Sequence, residues 1–331
     1  MPKALGFHEG ILQNWRGGPE TLMSNSFLSA ITSPGVLWML VILGLCLWML
    51  FRPHGREAPR ILLLILVFAF QPFTQAVMNA ENSSFPLKFD YFLYLIDKSL
   101  GVPAFLVARL FTEWQRSVLF VVYQSLSAVM IAWYGVSLKI KNGEPGRLLL
   151  AYLVTFVAGA SLYLIVPACG PRHAFGSAFP LGDPSVSPVL VRLNYWPNAI
   201  PSLHLATALL FVFFAGKNRL LRCLAWMYLA GTTAATLAFE HYTIDLIVAV
   251  PFACFATLAA RRRIRPALAN LAAVLAWLLT IRSATPALVA YPTALRILAI
   301  ATVVLAGFSM TTEREPENRE VMQCVSMEVS N

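Results

Sequence analysis

Charged residues are scarce in this chain. Asp, Glu, Lys and Arg make up 12% of its 331 residues, about half the share found in an ordinary soluble domain. Hydrophobic residues make up 58%, and the mean hydropathy is +0.67. These values exclude a water-soluble enzyme and indicate a bundle of helices within a bilayer. Lys and Arg outnumber Asp and Glu by 25 to 16, but they lie between apolar runs and so indicate membrane topology, with no nucleic-acid partner.

Cysteine patterns and a cleavable targeting signal are also lacking. The chain has five cysteines, and their spacing is that of neither a metal site nor a disulfide framework. Glu9, Arg16 and Glu20 interrupt the first 33 residues, so no compact apolar core precedes a cleavage site. We therefore expect a surface segment at the N-terminal end. The polar residues from 311 to 331 predict a cytoplasmic tail without a packed core.

Long apolar runs dominate the rest of the sequence. A helix needs roughly 17–25 residues to cross about 30 Å of hydrocarbon, and about nine runs approach that length. They cover residues 34–51, 60–78, 117–138, 148–167, 201–216, 223–240, 241–260, 266–281 and 286–309. The sequence therefore predicts an all-α fold, a polytopic membrane helix bundle.

Short basic connectors predict how this bundle is oriented. If the spans simply alternate, four connectors fall on one face, which the positive-inside rule makes cytoplasmic. They cover residues 52–60, 139–147, 217–222 and 261–265. The opposite face receives residues 79–116, residues 168–200 and the boundary at residues 239–243. Residues 91–111 are half apolar and favour a helix along the interface, where a packing or re-entrant role and a lipid-entry role remain equally open.

Three of the five histidines fall at predicted non-cytoplasmic ends of spans: His173, His204 and His241. His204 belongs to the sequence Pro201-Ser202-Leu203-His204, which opens a span, and proline is tolerated at such a start. The free N–H groups and positive dipole of a helix start are suited to binding a phosphate. A simple cap and an interfacial side chain explain the same residues.

His241 and Asp245 form a second pattern. A spacing of four residues places Asp245 on the same helix face as His241, one turn deeper. There the carboxylate can accept the Nδ1 proton and leave Nε2 free to attack an electrophile. An ionisable residue inside a span is energetically expensive, so Asp245 is a functional hypothesis with His241 as its partner.

The Pro-Ser-Leu-His sequence and the block His241-Tyr242-Thr243-Ile244-Asp245 together resemble the type 2 phosphatidic acid phosphatase (PAP2) superfamily. More narrowly, they resemble its branch of sphingomyelin synthases and inositol phosphorylceramide synthases. The resemblance covers about residues 60–260 and implies a six-helix core, with one span before it and about two after it. The implied organisation is a surface segment and first span at 1–59, a catalytic core at 60–265, C-terminal spans at 266–310 and the tail at 311–331.

The resemblance also implies roles for individual residues. His241 would attack phosphorus and form a phosphohistidine, and Asp245 would orient it. His204 would protonate the departing oxygen and then accept the proton of the incoming alcohol or water. Ser202 would donate a hydrogen bond to phosphate oxygens. No cofactor or metal is implied, although His173, His204, His241 and Asp245 are also a conceivable metal-binding set.

Departures from the superfamily pattern point to the transferase branch. Ala235 stands where the phosphatases have Arg, six residues before the nucleophile, and Leu203 stands where Gly is usual. The first superfamily motif is missing, and the loop in its place offers Arg172 as a phosphate clamp, against the alternative of an interfacial anchor. His173 and Arg192 are further candidates for substrate binding.

The leading hypothesis is an integral membrane lipid phosphotransferase that acts on a lipid phosphate donor and a lipid or alcohol acceptor. Its active site would face the non-cytoplasmic side; an Ala- and Arg-rich chain with short loops favours a bacterial inner membrane, and thus the periplasm. The alternatives are a lipid phosphate phosphatase of the same superfamily, a proton-coupled transporter and a catalytically inactive membrane protein. Headgroup, lipid backbone and oligomeric state are left open by the sequence.

Overall fold

The computed structural model describes residues 87–311, apart from 102–103, 141–142, 177–178, 180–190 and 193–197. These residues belong to one compact unit. The N-terminal surface segment, the predicted spans at 34–51 and 60–78, and the tail after residue 311 lie outside the described residues.

The described part of the chain is helical apart from two short strands, which confirms the predicted all-α class. Strands β1 (Leu87–Lys88) and β2 (Val191–Arg192) pair antiparallel, with Leu87 opposite Arg192. The helices are α1 (Asp90–Leu100), α2 (Ala104–Arg109), α3 (Glu113–Gln124), α4 (Leu126–Ser137), α5 (Pro145–Leu162), α6 (Pro171–Phe175), α7 (Leu203–Phe213), α8 (Arg219–Phe239), α9 (Thr243–Ala260), α10 (Ile264–Ala290) and α11 (Pro292–Thr311).

Within the described part of the chain, four helices are long and apolar enough to cross a membrane: α5, α9, α10 and α11. Helices α3 and α4 pass the same test together as one bent span, with an angle of 53° between them. The protein is therefore an integral membrane protein. Helix α7 is apolar but has 11 residues, and α8 is not among the candidate spans, so the predicted spans at 201–216 and 223–240 stay predictions.

Capping side chains fix where several helices begin. The Oγ of Ser202 accepts a hydrogen bond from Leu205 N at the start of α7, and Asn218 accepts one from Leu221 N at the start of α8. Such caps satisfy N–H groups that have no partner within the helix. The start of α7 is therefore set by the same Pro-Ser-Leu-His sequence that carries His204.

Helix α9 lies at the centre of the bundle. It contacts α1, α5, α7, α10 and α11, and it is the most buried of the four candidate spans. Val248, Ala249, Phe252 and Ala253 have no exposed surface, so apolar burial holds this helix in place. Its first turn places Asp245 at the end of the core.

The ends of α5, α7 and α9 meet at Arg261. The guanidinium of Arg261 donates to Glu144 Oε2 at 3.0 Å and to the carbonyl of Phe213 at 3.2 Å. Glu144 precedes α5, Phe213 ends α7, and Arg261 follows α9. Helices α7 and α9 therefore run parallel, and both begin at the opposite end of the bundle, where their histidines lie.

Helix α1 packs against the bundle, and its position relative to the membrane interface stays a prediction. It packs on α9, α10 and α11, and its two acids, Asp90 and Asp97, have no exposed surface. Arg296 of α11 donates from Nε to the carbonyl of Ser99 at 3.0 Å. Of the roles left open for residues 91–111, the packing role therefore describes α1.

Candidate active site

The two histidines singled out by the sequence meet at the starts of α7 and α9. The backbone N–H of Ser202 donates to the carbonyl of Asp245 at 3.2 Å, which joins the two helix starts. The ring centroids of His204 and His241 are 6.1 Å apart, with an angle of 59° between the planes. Since a productive contact is about 3 Å long, one phosphoryl group between the rings can touch both.

The surroundings of His241 fix its tautomer. Its Nδ1 lies 2.8 Å from the carbonyl oxygen of Ala199 and 3.4 Å from Asp245 Oδ2. Both atoms are hydrogen-bond acceptors, so Nδ1 carries the proton and Nε2 carries the free electron pair. The side chain is 3% exposed, which shields the imidazole from bulk water.

Asp245 is held by a second hydrogen bond. The N–H of Tyr242 donates to Asp245 Oδ2 at 2.8 Å, and the residue has no exposed surface. Among the residues that the structure describes, Asp245 Oδ1 has no hydrogen-bond partner. A buried carboxylate oxygen left in this state is energetically costly.

Ser202 is buried as the cap of α7. Its Oγ accepts from Leu205 N at 3.4 Å, and the residue has no exposed surface. A hydroxyl that accepts a hydrogen bond still has its own proton to donate. Ser202 therefore sets the helix start and keeps one donor at the end of α7 where His204 lies.

Helix α6 brings Arg172 and His173 to the loop that precedes His241. His173 Nε2 lies 2.8 Å from Glu240 Oε2, and Arg172 Nη1 lies 3.9 Å from Glu240 Oε1. The Arg172 guanidinium also lies over the Phe239 ring, 5.9 Å from its centroid. The Arg172 side chain is 51% exposed, so it remains accessible to a ligand. Arg192 belongs to β2, and its side chain lies outside the described residues.

Gly170 allows these two loops to touch. Its φ is +87°, and a Cβ at this position would lie 1.9 Å from the carbonyl oxygen of Glu240. No residue with a side chain fits such an approach. The loop before α6 and the loop before α9 are therefore in direct backbone contact.

Asp90 joins the same two loops from α1. It accepts hydrogen bonds from Gly170 N at 2.8 Å, from Cys169 N at 3.1 Å and from the hydroxyl of Tyr242 at 3.0 Å. Burial raises the pKa of Asp90 to about 6, although these donors act in the opposite direction. One carboxyl thus fixes both Tyr242, the residue next to His241, and the loop that carries Arg172.

Asp97 caps helix α9 from one side. It accepts from Thr243 N at 2.8 Å, from Ile244 N at 3.1 Å and from Ala104 N at 3.2 Å. Burial raises the pKa of this carboxyl, and the three N–H donors lower it. The acid satisfies the first N–H groups of the helix that follows His241.

Several of these residues were not singled out by the sequence. Asp97 lies in a half-apolar stretch, so the energetic argument applied to Asp245 could also have found it. Asp90 and Glu240 lie next to such stretches and gave no periodic signal. Tyr123 of α3, whose ring stacks on His204 with centroids 3.8 Å apart, lies far from every motif.

The metal-binding alternative is not favoured by the geometry. Within the described residues, no three His, Cys, Asp or Glu side chains form a group that could hold a metal ion. His173 pairs with Glu240, away from the His241 and Asp245 pair. The cavity of about 390 Å³ between α9, α10 and α11 is lined by none of the site residues.

A family model described as the PAP2 superfamily matches residues 92–259. This is half of the chain, and it includes His204, His241, Asp245, Arg172 and Tyr123. No curated protein and no solved structure matches the chain. The chain therefore belongs to the PAP2 superfamily and is a membrane enzyme of the lipid phosphatase and phosphotransferase kind.

Proposed function

We propose that the protein is a lipid phosphotransferase that moves a phospho-headgroup from a lipid donor to a lipid or alcohol acceptor through a phosphohistidine at His241. The observation that carries this proposal is the approach of the His204 and His241 rings to 6.1 Å, with the proton of His241 held on Nδ1. The arrangement supplies a nucleophile and an acid/base group on one phosphoryl group.

In the first step the electron pair on His241 Nε2 forms a bond to phosphorus. The bond between phosphorus and the donor alcohol's oxygen breaks, and its electron pair stays with that oxygen. His204, which enters this step protonated, gives its proton to the departing oxygen. Asp245 and the Ala199 carbonyl hold the Nδ1 proton and stabilise the positive charge that develops on the ring of His241.

In the second step the acceptor hydroxyl attacks phosphorus. Its proton passes to His204, and the bond between phosphorus and Nε2 breaks, which returns the electron pair to His241. The enzyme thus ends with both histidines as they began. The same pathway with water as acceptor is phosphatase chemistry, so the two activities differ only in which hydroxyl reaches the intermediate.

Phosphate oxygens would be bound by groups around the two rings. Arg172 supplies an accessible guanidinium that can hold two oxygens at once, and Ser202 supplies a hydroxyl donor. The positive ends of α7 and α9 both face this region. His173 and Arg192 are further proposed contacts of the phosphate. His173 lies close to Arg172, because both side chains pair with Glu240.

Transfer is favoured over hydrolysis by two features. His241 is almost fully buried, which restricts access of bulk water to the intermediate. Ala235 occupies the position where the phosphatases have Arg, and it has no exposed surface. This departure from the phosphatase pattern is part of the resemblance to the branch of sphingomyelin and inositol phosphorylceramide synthases. We place the site in the six-helix core at the periplasmic face of a bacterial inner membrane, because the basic connectors predict the opposite face to be cytoplasmic.

Labelling of the intermediate tests the proposal. Membranes containing the full-length protein are supplied with ³²P-labelled phospholipid extract, and the protein is analysed for acid-labile, base-stable phosphate. We expect a label that is lost in His241→Ala and retained in His54→Ala, a matched histidine change in a predicted cytoplasmic connector. Lipid turnover without any labelled protein would overturn the phosphohistidine pathway. The absence of both label and turnover would favour the transporter or the inactive protein.

Lipid mass spectrometry separates the two reactions. Cells that express the wild-type protein are compared with cells that express His241→Ala. A new lipid that carries the donor headgroup supports transfer and identifies that headgroup. Release of the phosphate with no new phospholipid supports the phosphatase and rejects transfer.

A further inference from the structure

Tyr123 lies face to face with His204. The ring centroids are 3.8 Å apart, and the planes differ by 18°. Tyr123 belongs to α3, 81 residues before His204 in the chain, and to none of the motifs that carry the superfamily resemblance. Its ring covers one face of the imidazole, while His241 approaches the imidazole at an angle of 59°.

Contacts on both sides of Tyr123 fix its position. One turn before it, the ring of Phe120 packs on that of Phe239, with centroids 5.8 Å apart. Two residues after it, Ser125 Oγ lies 3.4 Å from the hydroxyl of Tyr228, and α3 ends there in the 53° bend. The end of α3 is thus attached to α8 at two points, and Tyr123 lies between them.

The hydroxyl of Tyr123 lies within electrostatic range of the loop that precedes His241. Glu240, Arg172 and Tyr163 are the charged and phenolic groups that interact electrostatically with it. The Tyr123 ring therefore stacks on His204, while its hydroxyl lies near the Glu240 and Arg172 pair. A ring in this place affects the orientation of the imidazole, and its π face also stabilises an adjacent cation.

We propose that Tyr123 is a positioning residue for His204: its ring holds the imidazole towards the leaving oxygen and stabilises the protonated form that donates the proton. This inference rests on the proposed function. It concerns only the transfer of a proton from His204 to the alkoxide oxygen as the bond from that oxygen to phosphorus breaks. A leaving group that departs as a stable anion does not need this proton.

The dependence on the leaving group therefore tests the role of the ring. Purified full-length protein in detergent is mixed with dioleoyl phosphatidic acid or with 4-nitrophenyl phosphate, which transfer the same phosphoryl group from an alkoxide and from a phenolate. Phosphoenzyme formation is followed before steady state. In Tyr123→Leu we expect formation from phosphatidic acid to slow by about tenfold to a hundredfold, a part of what general acid catalysis contributes. Formation from the nitrophenyl ester should stay within about threefold of wild type.

Two further variants separate the ring from other effects. Tyr123→Phe keeps the ring and removes the hydroxyl, so we expect wild-type rates with both donors. Phe120→Leu removes a neighbouring ring of the same helix that packs on Phe239, but it leaves the Tyr123 ring and the contact of Ser125 with Tyr228 in place, so it should change the ratio between the two donors much less than Tyr123→Leu does. The amplitude of the nitrophenolate burst counts correctly folded sites in each variant.

Three results would overturn the inference, and the third would also contradict the proposed function. Equal slowing of both donors in Tyr123→Leu assigns the ring a structural role alone. Slowing in Tyr123→Phe assigns the effect to the hydroxyl and to direct substrate contact. A wild-type protein that forms a phosphoenzyme neither from these two donors nor from the ³²P-labelled phospholipid extract contradicts the proposed function as well, which distinguishes the two failures.

Discussion

Replacement of Gly170 by alanine should separate the two loops of the active site. The added Cβ would lie 1.9 Å from the carbonyl oxygen of Glu240, whereas real Cβ atoms essentially never approach another atom to less than 3.0 Å. Either loop must therefore move by about 1 Å. The backbone of Gly170 has φ +87° and ψ 161°, a region that is essentially restricted to glycine and that costs about 1–3 kcal/mol for other residues.

A displacement of this size has a predictable effect on the chemistry. Glu240 precedes the nucleophile, and Gly170 precedes the helix of Arg172, so the phosphate clamp and His241 would no longer be in register. A misplacement of about 1 Å can lower a reaction rate by about a hundredfold. We expect Gly170→Ala to slow phosphoenzyme formation by roughly that factor, measured with labelled phospholipid, and to lower the thermal unfolding temperature in detergent.

Gly176 provides the matched control. It also has a positive φ, of +51°, but a Cβ there would meet nothing within 4 Å among the residues that the structure describes. Gly176→Ala therefore reports the effect of backbone strain alone, and we expect phosphoenzyme formation to remain near the wild-type rate. If Gly170→Ala retains wild-type activity, or if both variants lose activity equally, the contact between Gly170 and Glu240 does not govern the site.

Three further changes test the groups around this contact. Arg172→Lys keeps the charge but loses the planar pair of donors, so we expect phosphoenzyme formation to slow by about tenfold to a hundredfold; an unchanged rate would make Arg172 an interfacial anchor. Asp97→Ala leaves the first N–H groups of α9 without an acceptor, and the free energy of unfolding should fall by about 1–3 kcal/mol; unaltered thermal unfolding would contradict this capping role. Burial raises the pKa of Asp90 from 3.8 to about 6, so between these pH values the folded protein holds a proton that the unfolded chain releases. The contribution of Asp90 to the free energy of unfolding should therefore decrease by about 3 kcal/mol as the pH rises from about 4 to 6. Unfolding temperatures measured across that range should show this decrease in the wild type and not in Asp90→Asn, and parallel curves for the two proteins would refute it.

The meeting of His204, His241 and Asp245 could be predicted because each depends on local sequence. A proline and a serine define the start of α7. His241 and Asp245 were predicted to share a helix face, but His241 precedes α9, and Asp245 in the first turn reaches back to it. The predicted alternation of spans brought both helix starts to one face of the membrane, and the structure places them at one end of the bundle. Their distance of 6.1 Å could not be predicted, because it follows from how α7 and α9 pack.

The parts that the sequence did not predict depend on distant contacts. The predicted span at 117–138 is bent at Ser125, where no Pro or Gly marks a break; the hydroxyl of Ser125 donates to the Val122 carbonyl and contacts Tyr228. The hydrogen bond from Tyr242 to Asp90 crosses 152 positions of the chain. Such pairs leave no periodic pattern, so only the fold reveals that these acids belong to the site.

The loss of the superfamily Arg and the presence of Asp90 are connected through the geometry of the site. Ala235 of α8 has no exposed surface, and as an alanine it supplies no cation. A cation must then come from another element, and Arg172 is brought to the loop of the nucleophile by the Gly170 turn. That turn is held by Asp90 through Gly170 N, two residues before the region matched by the family model. If Arg172 binds the phosphate as proposed, we expect the site to depend on Asp90, a buried acid outside the matched core that fixes the loop carrying Arg172.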